Sequence, residues 1–151
     1  MTLGQTIQND LKAALLGGDR FRAEVLRNLR AAVLNEEVAT GKRDEGLDDA
    51  AIEKIIVKEV KKRAESIKLY DENGRPELAE NERLESSVLE EYLPSQLSDS
   101  EVIKIVEQTI EEMGATGMQS MGLVIKAVKE KVGNTADGAL IAATVKSKLP
   151  N

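Results

Sequence analysis

The stretch YLPSQLSDSEVIKIV, residues 92–106, decides how this chain folds. Pro94 cannot continue a helix, so the segment before it must stop there. Ser98 and Glu101 have the spacing of a capping box, in which each side chain bonds the backbone of the other residue at a helix start. Apolar residues then recur every four positions, as on one face of a helix. The stretch therefore predicts a helix end, a short linker and a new helix, with a domain boundary between residues 94 and 95.

Four helical segments are predicted before this boundary. Thr2 and Gln5 form a second capping box, and Asp48 is placed to cap the third helix. Gly74-Arg75-Pro76 breaks the pattern, and Pro76 suits the first turn of a fourth helix, so helices three and four form a long hairpin. The predicted apolar stripes are Leu3, Ile7, Leu11 and Leu15; Val25, Leu26, Leu29, Val33 and Val38; Ile52, Ile56, Val60, Ala64, Ile67 and Tyr70; and Leu84, Val88, Leu89 and Tyr92.

Three shorter helices are predicted after the boundary. Gly114 and Gly133 end the first two, and Asp137 caps the last. Their stripes are Val102, Val106, Ile110 and Met113; Met121, Val124, Val128 and Val132; and Ile141, Val145 and Leu149. No strand-like alternation competes with these patterns. The sequence thus predicts an all-α, multihelical protein: an N-terminal helical domain with a long hairpin, residues 1–94, followed by a small three-helix domain, residues 95–151.

The chain has neither histidine nor cysteine. Histidine is the usual acid–base group near neutral pH and the commonest metal ligand, and cysteine is the readiest nucleophile. Catalytic triads, zinc sites and redox pairs of the familiar kinds are therefore excluded. Carboxylate and lysine chemistry stay open, but the composition favours binding, and we expect no catalytic residue, no metal site and no cofactor.

Composition also bears on location. Without cysteine there is no disulfide framework, the N-terminal residues lack a secretory signal pattern, and no apolar run is long enough to span a membrane. These features lead us to expect a cytoplasmic protein that does not associate with membranes.

Charge is distributed unevenly along an acidic chain of net charge −6. Arg27 and Arg30 share one face of the second helix. Between Met118 and Leu149 there are five lysines and two acidic residues, which is an excess of three positive charges. These lysines either solubilise small helices or contact phosphate. Because this region has no aromatic residues for base stacking, it would recognise an RNA through its sugar–phosphate backbone and its shape.

Gly122 and a cluster of carboxylates can each be interpreted as structural or as part of a binding site. A glycine within a helix costs about 1 kcal/mol relative to alanine, so Gly122 indicates close approach, either by another helix, which we favour, or by a ligand. The glutamates between Glu77 and Glu91 are interpreted as a solvated helix face rather than an acid–base or metal site.

Several motifs resemble the YqeY-like family. They are the run from Tyr70 to Ala79 with Glu82, the run from Glu91 to Ser98, the run Met121-Gly122-Leu123-Val124-Ile125-Lys126, and Ala136-Asp137-Gly138. The C-terminal part is also similar to the tail domain of the GatB subunit of the amidotransferase that amidates misacylated Glu-tRNA(Gln) or Asp-tRNA(Asn). Thr135 and Ala139 stand where family members often carry basic residues, which leaves Lys126 as the clearest basic position of the motif.

The resemblance implies a non-catalytic module that binds tRNA, or a complex related to the tRNA amidotransferase, through its C-terminal helices. The resemblance, together with the local lysine excess, gives the candidate tRNA-binding residues Gly122, Lys126, Lys129, Lys131, Lys146 and Lys148. Members of the family are often described as carbon–nitrogen ligases with glutamine as amido donor. The residues of this sequence show no site for that reaction. Two alternatives stay open: an accessory role in that ligase activity, with amidotransferase subunits as partners, and a protein-interaction adaptor that uses the hairpin.

Overall fold

Seven α-helices make up the computed structural model, which describes all residues from 1 to 151. They are α1 (Leu3–Leu16), α2 (Arg20–Ala39), α3 (Asp49–Glu72), α4 (Pro76–Glu90), α5 (Asp99–Met113), α6 (Met121–Val132) and α7 (Gly138–Lys148). No strand is present, so the predicted all-α class is confirmed. No helix has both the length and the apolar character needed to cross a lipid bilayer.

The helix ends follow the capping signals of the sequence. Both capping boxes form: Thr2 with Gln5 at the start of α1, and Ser98 with Glu101 at the start of α5. Pro76 is the first residue of α4, where its missing N–H is not needed. The sequence did not reveal two 3-10 turns, Met118–Ser120 before α6 and Gly133–Thr135 after it.

Two compact units divide the chain, Met1–Leu93 and Pro94–Asn151. Each has its own core of buried aliphatic side chains. The buried core of the first unit consists of Ile7, Leu11, Ala14, Ala23, Val25, Leu26, Leu29, Ile52, Ile56 and Leu89. That of the second consists of Val102, Val106, Ile110, Ala115, Val124, Val128, Val132, Ile141 and Val145.

The apolar stripes predicted for the hairpin are only partly buried. Ile52 and Ile56 are buried, whereas Ala64 is exposed and Leu84 retains 50% of its accessible surface. The distal part of α3 packs mainly against α4, and a pair of helices cannot enclose a full apolar stripe. In the α3 stripe, burial is therefore complete only at Ile52 and Ile56, and the later positions are part-buried or exposed.

Loss of the α5 capping box should cost measurable stability. In Ser98→Ala the backbone N–H of Glu101 loses the hydroxyl that accepts from it at 3.2 Å, and the Glu101 carboxylate loses the Ser98 hydroxyl as a donor. We expect the free energy of unfolding of the second unit to fall by about 1 kcal/mol in urea titrations. Ser95→Ala, at an exposed serine in the same linker, is the matched control and should change it by less than about 0.5 kcal/mol.

Candidate nucleic-acid interface

One exposed stripe of α6 carries three of the residues implied in tRNA binding. Gly122, Lys126 and Lys129 follow one another at intervals of four and three residues, which places them on the same side of the helix. All three are exposed. We call these three residues the α6 stripe.

Gly122 lies in the first turn of α6, and its surroundings are open. A Cβ atom added there would meet no heavy atom within 4 Å beyond its own local backbone. The expectation that another helix packs closely against Gly122 is therefore wrong, because the residue faces solvent rather than the core formed with α5 and α7. The bare backbone at this position is left open to a ligand.

The two lysines of the α6 stripe have no ion-pair partner in the chain. No carboxylate lies within 4.0 Å of the Lys126 or Lys129 ammonium group. A Cβ atom added at Gly138 would lie 3.5 Å from Lys129 Nζ, so the Lys129 side chain reaches the first residue of α7. The fold thus brings Lys129, near the end of α6, beside Gly138 of the 136–138 motif.

Helices α6 and α7 run in opposite directions. The end of α6 meets the start of α7 where Lys129 contacts Gly138, and the Gly117 N–H, just before α6, donates to the Pro150 carbonyl, just after α7, at 2.7 Å. Lys146 lies in the last turn of α7 and is also exposed without an ion-pair partner. It therefore lies toward the same end of the helix pair as Gly122.

The remaining two lysines are engaged with α5. Lys131 Nζ donates to Glu112 Oε2 at 2.8 Å and to Thr109 Oγ1 at 2.9 Å, and Lys148 Nζ lies 3.5 Å from Glu107 Oε1. The Lys131 ammonium also lowers the pKa of the Glu112 carboxyl, first through the hydrogen bond and then through its charge. These lysines join α6 and α7 to α5, and their charges, unlike those of the α6 stripe, are partly neutralised by carboxylates.

The carboxylates of α4 form no metal site. No group of three or more acidic residues could hold a metal ion. Arg63 pairs with Glu59 at 3.1 Å and with Glu85 at 3.3 Å, which links α3 to α4. Burial raises the pKa of Glu82, and the charge of Glu85 raises it further. Only part of this cluster is the solvated helix face that the sequence indicated, since Glu82 and Glu85 are half-buried.

A polar network in the first unit was missed by sequence reasoning. The Tyr92 hydroxyl donates to Asp10 Oδ2 at 2.6 Å and accepts from Arg22 Nη2 at 3.1 Å. Arg22 Nη1 donates to Glu91 Oε2 at 2.7 Å, and this bond is the main cause of the raised Arg22 pKa. These four residues connect α1, α2 and the end of α4. They lie up to 82 positions apart, so no local spacing could have revealed them.

Tyr92→Phe tests this network through its pH dependence. Burial, and then the bond to Asp10, raises the pKa of the Tyr92 hydroxyl above its ordinary value. Because the folded state favours the neutral phenol, the contribution is fully present below about pH 10 and is lost as the pH rises from there towards the folded-state pKa. We expect the variant to be less stable by about 1 to 2 kcal/mol at pH 7, and the difference to shrink above about pH 10.

Unfolding of both proteins in urea at several pH values measures this difference. Tyr70→Phe is the matched control, because the Tyr70 hydroxyl makes no hydrogen bond within the chain. A difference between wild type and Tyr92→Phe that stays constant, or grows, as the pH rises above about 10 would contradict the assigned network.

Comparison with known proteins finds similarity along nearly the whole chain. The family model described as Yqey-like protein matches residues 4–149. The relatives include proteins named Altered inheritance of mitochondria protein 41, mitochondrial. The one from Eremothecium gossypii is 36% identical over 58% of this chain and 46% of its own length. The one from Clavispora lusitaniae is 24% identical over 97% of this chain and 84% of its own length.

A third such relative, from Vanderwaltozyma polyspora, is 28% identical over 76% of this chain and 64% of its own length. The chain thus spans about half to four fifths of the curated relatives that it matches. These relatives are named as mitochondrial, so the expectation of a cytoplasmic protein is wrong. That expectation used cysteine content and secretory signals, which separate oxidising from reducing environments and do not distinguish one reducing compartment from another.

Proposed function

Since the chain belongs to the YqeY-like family, we propose that it is a non-catalytic module that binds tRNA, or a complex related to the tRNA amidotransferase, through α6 and α7. The observation that supports this most is the α6 stripe. It combines two lysines without intramolecular partners and a glycine with open space in front of it.

Phosphate is the ligand chemistry that this stripe suits. Lys126 and Lys129 are point charges on flexible side chains, which contact phosphate oxygens without fixed geometry. The bare backbone at Gly122 lets a ligand backbone approach more closely than any side chain would allow. The three aromatic residues, Phe21, Tyr70 and Tyr92, all belong to the first unit, so base stacking on the second unit is excluded. Recognition would then rest on the shape and the sugar–phosphate backbone of a folded RNA.

The net negative charge of the chain repels phosphate less strongly at the α6 stripe than its total value suggests. The Lys131–Glu112 and Lys148–Glu107 pairs hold carboxylates of α5 beside lysines of the neighbouring helices. Charges separated by more than about 8 Å are largely screened at physiological salt, so a local lysine pair can attract phosphate on an acidic protein. Affinity should accordingly be modest and strongly dependent on salt.

Binding of bulk tRNA and of aminoacylated tRNA, measured at about 50 and about 200 mM salt, tests the proposal. The proposal expects binding at the lower concentration that weakens several-fold at the higher one. Absence of binding at both concentrations would refute it.

A second candidate function is a protein-interaction adaptor built on the hairpin. Leu69, Leu78 and Leu84 on α3 and α4 keep 58%, 39% and 50% of their accessible surface. Contiguous exposed apolar surface marks protein-binding sites, and these leucines supply exposed apolar area on both helices of the hairpin. Isolation of a stable protein complex that contains no RNA, and that is lost in Leu69→Glu/Leu84→Glu, would favour the adaptor over the tRNA-binding module.

A further inference from the structure

A cleft of about 610 Å³ lies in the first unit, whereas the α6 stripe belongs to the second. Its walls are the N-terminal half of α1, the C-terminal half of α2 and the loop before α3. We call it the α1–α2 cleft. The lining residues used below are Gln8, Arg27, Arg30, Leu34, Glu37 and Glu45. The volume is within the range of sites that hold small ligands or short peptide segments.

Four charged side chains line this cleft, and none of them forms an ion pair within the chain. They are Arg27, Arg30, Glu37 and Glu45. Three of the other six arginines of the first unit are held by carboxylates: Arg22 by Glu91, Arg63 by Glu85 and Arg83 by Asp71. The cleft is therefore lined by charged side chains of both signs that have no ion-pair partner.

The two signs are separated along α2. Arg27 and Arg30 precede Glu37 by ten and seven residues, which corresponds to about 15 and 10 Å along the helix axis. Glu45 belongs to the negative end, because the loop that carries it folds back onto the end of α2. The Lys42 N–H donates to the Glu37 carbonyl, and the Gly46 N–H donates to the Lys42 carbonyl, both at 2.7 Å.

Apolar surface lies between the charged ends. Leu34, which is 43% exposed, stands between Arg30 and Glu37 on α2, and the buried side chains Ile7 and Ile52 lie beneath the cleft. On the opposite wall the Gln8 amide makes no hydrogen bond within the chain and offers both a donor and an acceptor. From one end to the other, the cleft presents cations, an apolar surface with an amide beside it, and carboxylates.

We propose that the α1–α2 cleft binds an extended peptide segment of a partner protein, with an acidic residue beside Arg27 and Arg30 and a basic residue beside Glu37 and Glu45. An extended chain advances about 3.3 to 3.6 Å per residue, so charges 10 to 15 Å apart correspond to about four or five residues. The Gln8 amide is suited to the peptide backbone, and Leu34 to an apolar side chain between the charges.

Other occupants match the cleft less well. A nucleic acid would bring phosphates against Glu37 and Glu45 as well as against the arginines. A wholly apolar ligand would desolvate charged side chains without replacing their interactions with water. Only a ligand that carries both signs, with apolar surface between them, matches each part of the cleft.

Four capped pentapeptides test the proposal by NMR titration of the full-length, ¹⁵N-labelled protein. Glu-Leu-Ala-Leu-Lys and Lys-Leu-Ala-Leu-Glu carry both signs in opposite chain directions, and Glu-Leu-Ala-Leu-Glu and Lys-Leu-Ala-Leu-Lys are the single-sign controls. We expect at least one mixed-charge peptide to shift the backbone signals of the cleft residues. We also expect it to bind about fivefold more tightly than either control, as one additional exposed ion pair allows.

A charge inversion gives the sharper result. Arg27→Glu/Arg30→Glu/Glu37→Lys/Glu45→Lys leaves the net charge unchanged and should transfer the preference to the mixed-charge peptide of the opposite direction. Arg20→Glu/Glu24→Lys inverts two exposed charges of α2 outside the cleft and should leave the preference as it is in the wild type. Far-UV circular dichroism verifies that each variant is folded.

Three results would overturn the proposal: equal binding of all four peptides, shifts that lie outside the cleft, and an unchanged preference after inversion. A short RNA duplex that shifts the cleft signals and displaces the peptide would also overturn it, in favour of nucleic acid. The readout uses the first unit alone, so this outcome is independent of whether the α6 stripe binds tRNA.

Discussion

Replacing Lys126 and Lys129 with glutamate is expected to weaken tRNA binding by on the order of tenfold or more at low salt. Each lysine that neutralises a phosphate releases a counterion, and a glutamate in its place repels the same phosphate. The slope of log K against log salt should also become shallower by about two, one for each lost contact. Fluorescence anisotropy with end-labelled tRNA measures both quantities.

The control for this variant must reproduce its change in net charge. Lys54→Glu/Lys104→Glu reverses two exposed lysines outside the α6 stripe and lowers the net charge by the same four units. If both variants lose affinity equally, the effect comes from overall charge and the stripe has no special role. Lys131→Gln should weaken binding less than the loss of a lysine from the stripe, because Lys131 already bonds Glu112 and Thr109.

Ile141→Ala is expected to lower the free energy of unfolding of the second unit by about 2 to 5 kcal/mol. Ile141 is 1% exposed and lies on α7 within the core of that unit. Truncation removes buried methyl and methylene groups and leaves a cavity that the short helices can fill only in part. Small cores supply little stability, so a loss of this size should unfold much of the second unit at 37 °C.

Two transitions should then be separable in urea or in thermal unfolding. Leu26→Ala, at a fully buried leucine of the first unit, should shift the other transition by a similar amount. Leu16→Ala is the matched control, because Leu16 is 91% exposed and its truncation leaves no cavity. A single transition that Ile141→Ala and Leu26→Ala shift equally would show that the two cores unfold as one cooperative unit.

Local signals explain how much of the fold could be predicted. A capping box acts within four residues, so Thr2 with Gln5 and Ser98 with Glu101 mark helix starts without knowledge of tertiary structure. The burial of a residue cannot be predicted from such local signals, because it depends on how many other elements surround the helix. Ile56 and Leu84 both fit their apolar stripes, but only Ile56 lies where other helices of the first unit enclose it.

The residue types of the candidate site and their shared helix face were predictable from the sequence, but the partners of its lysines were not. The spacing of Gly122, Lys126 and Lys129 indicates a shared face, since it follows from helix geometry alone. The sequence could not show that Lys131 and Lys148 are held by Glu112 and Glu107, because those pairs join separate helices. The α1–α2 cleft could not be predicted for the same reason. Its charged residues come together only because the loop before α3 lies against α2 in the folded protein.

The most direct test of tRNA binding by this chain is an NMR map of the ¹⁵N-labelled protein on addition of unlabelled tRNA. The account predicts that the backbone signals of Gly122, Lys126, Lys129 and Gly138 shift or broaden first, with smaller changes at Lys146. Changes confined to the first unit, or no change at about 50 mM salt, would contradict the central claim that the α6 stripe is the RNA-binding surface.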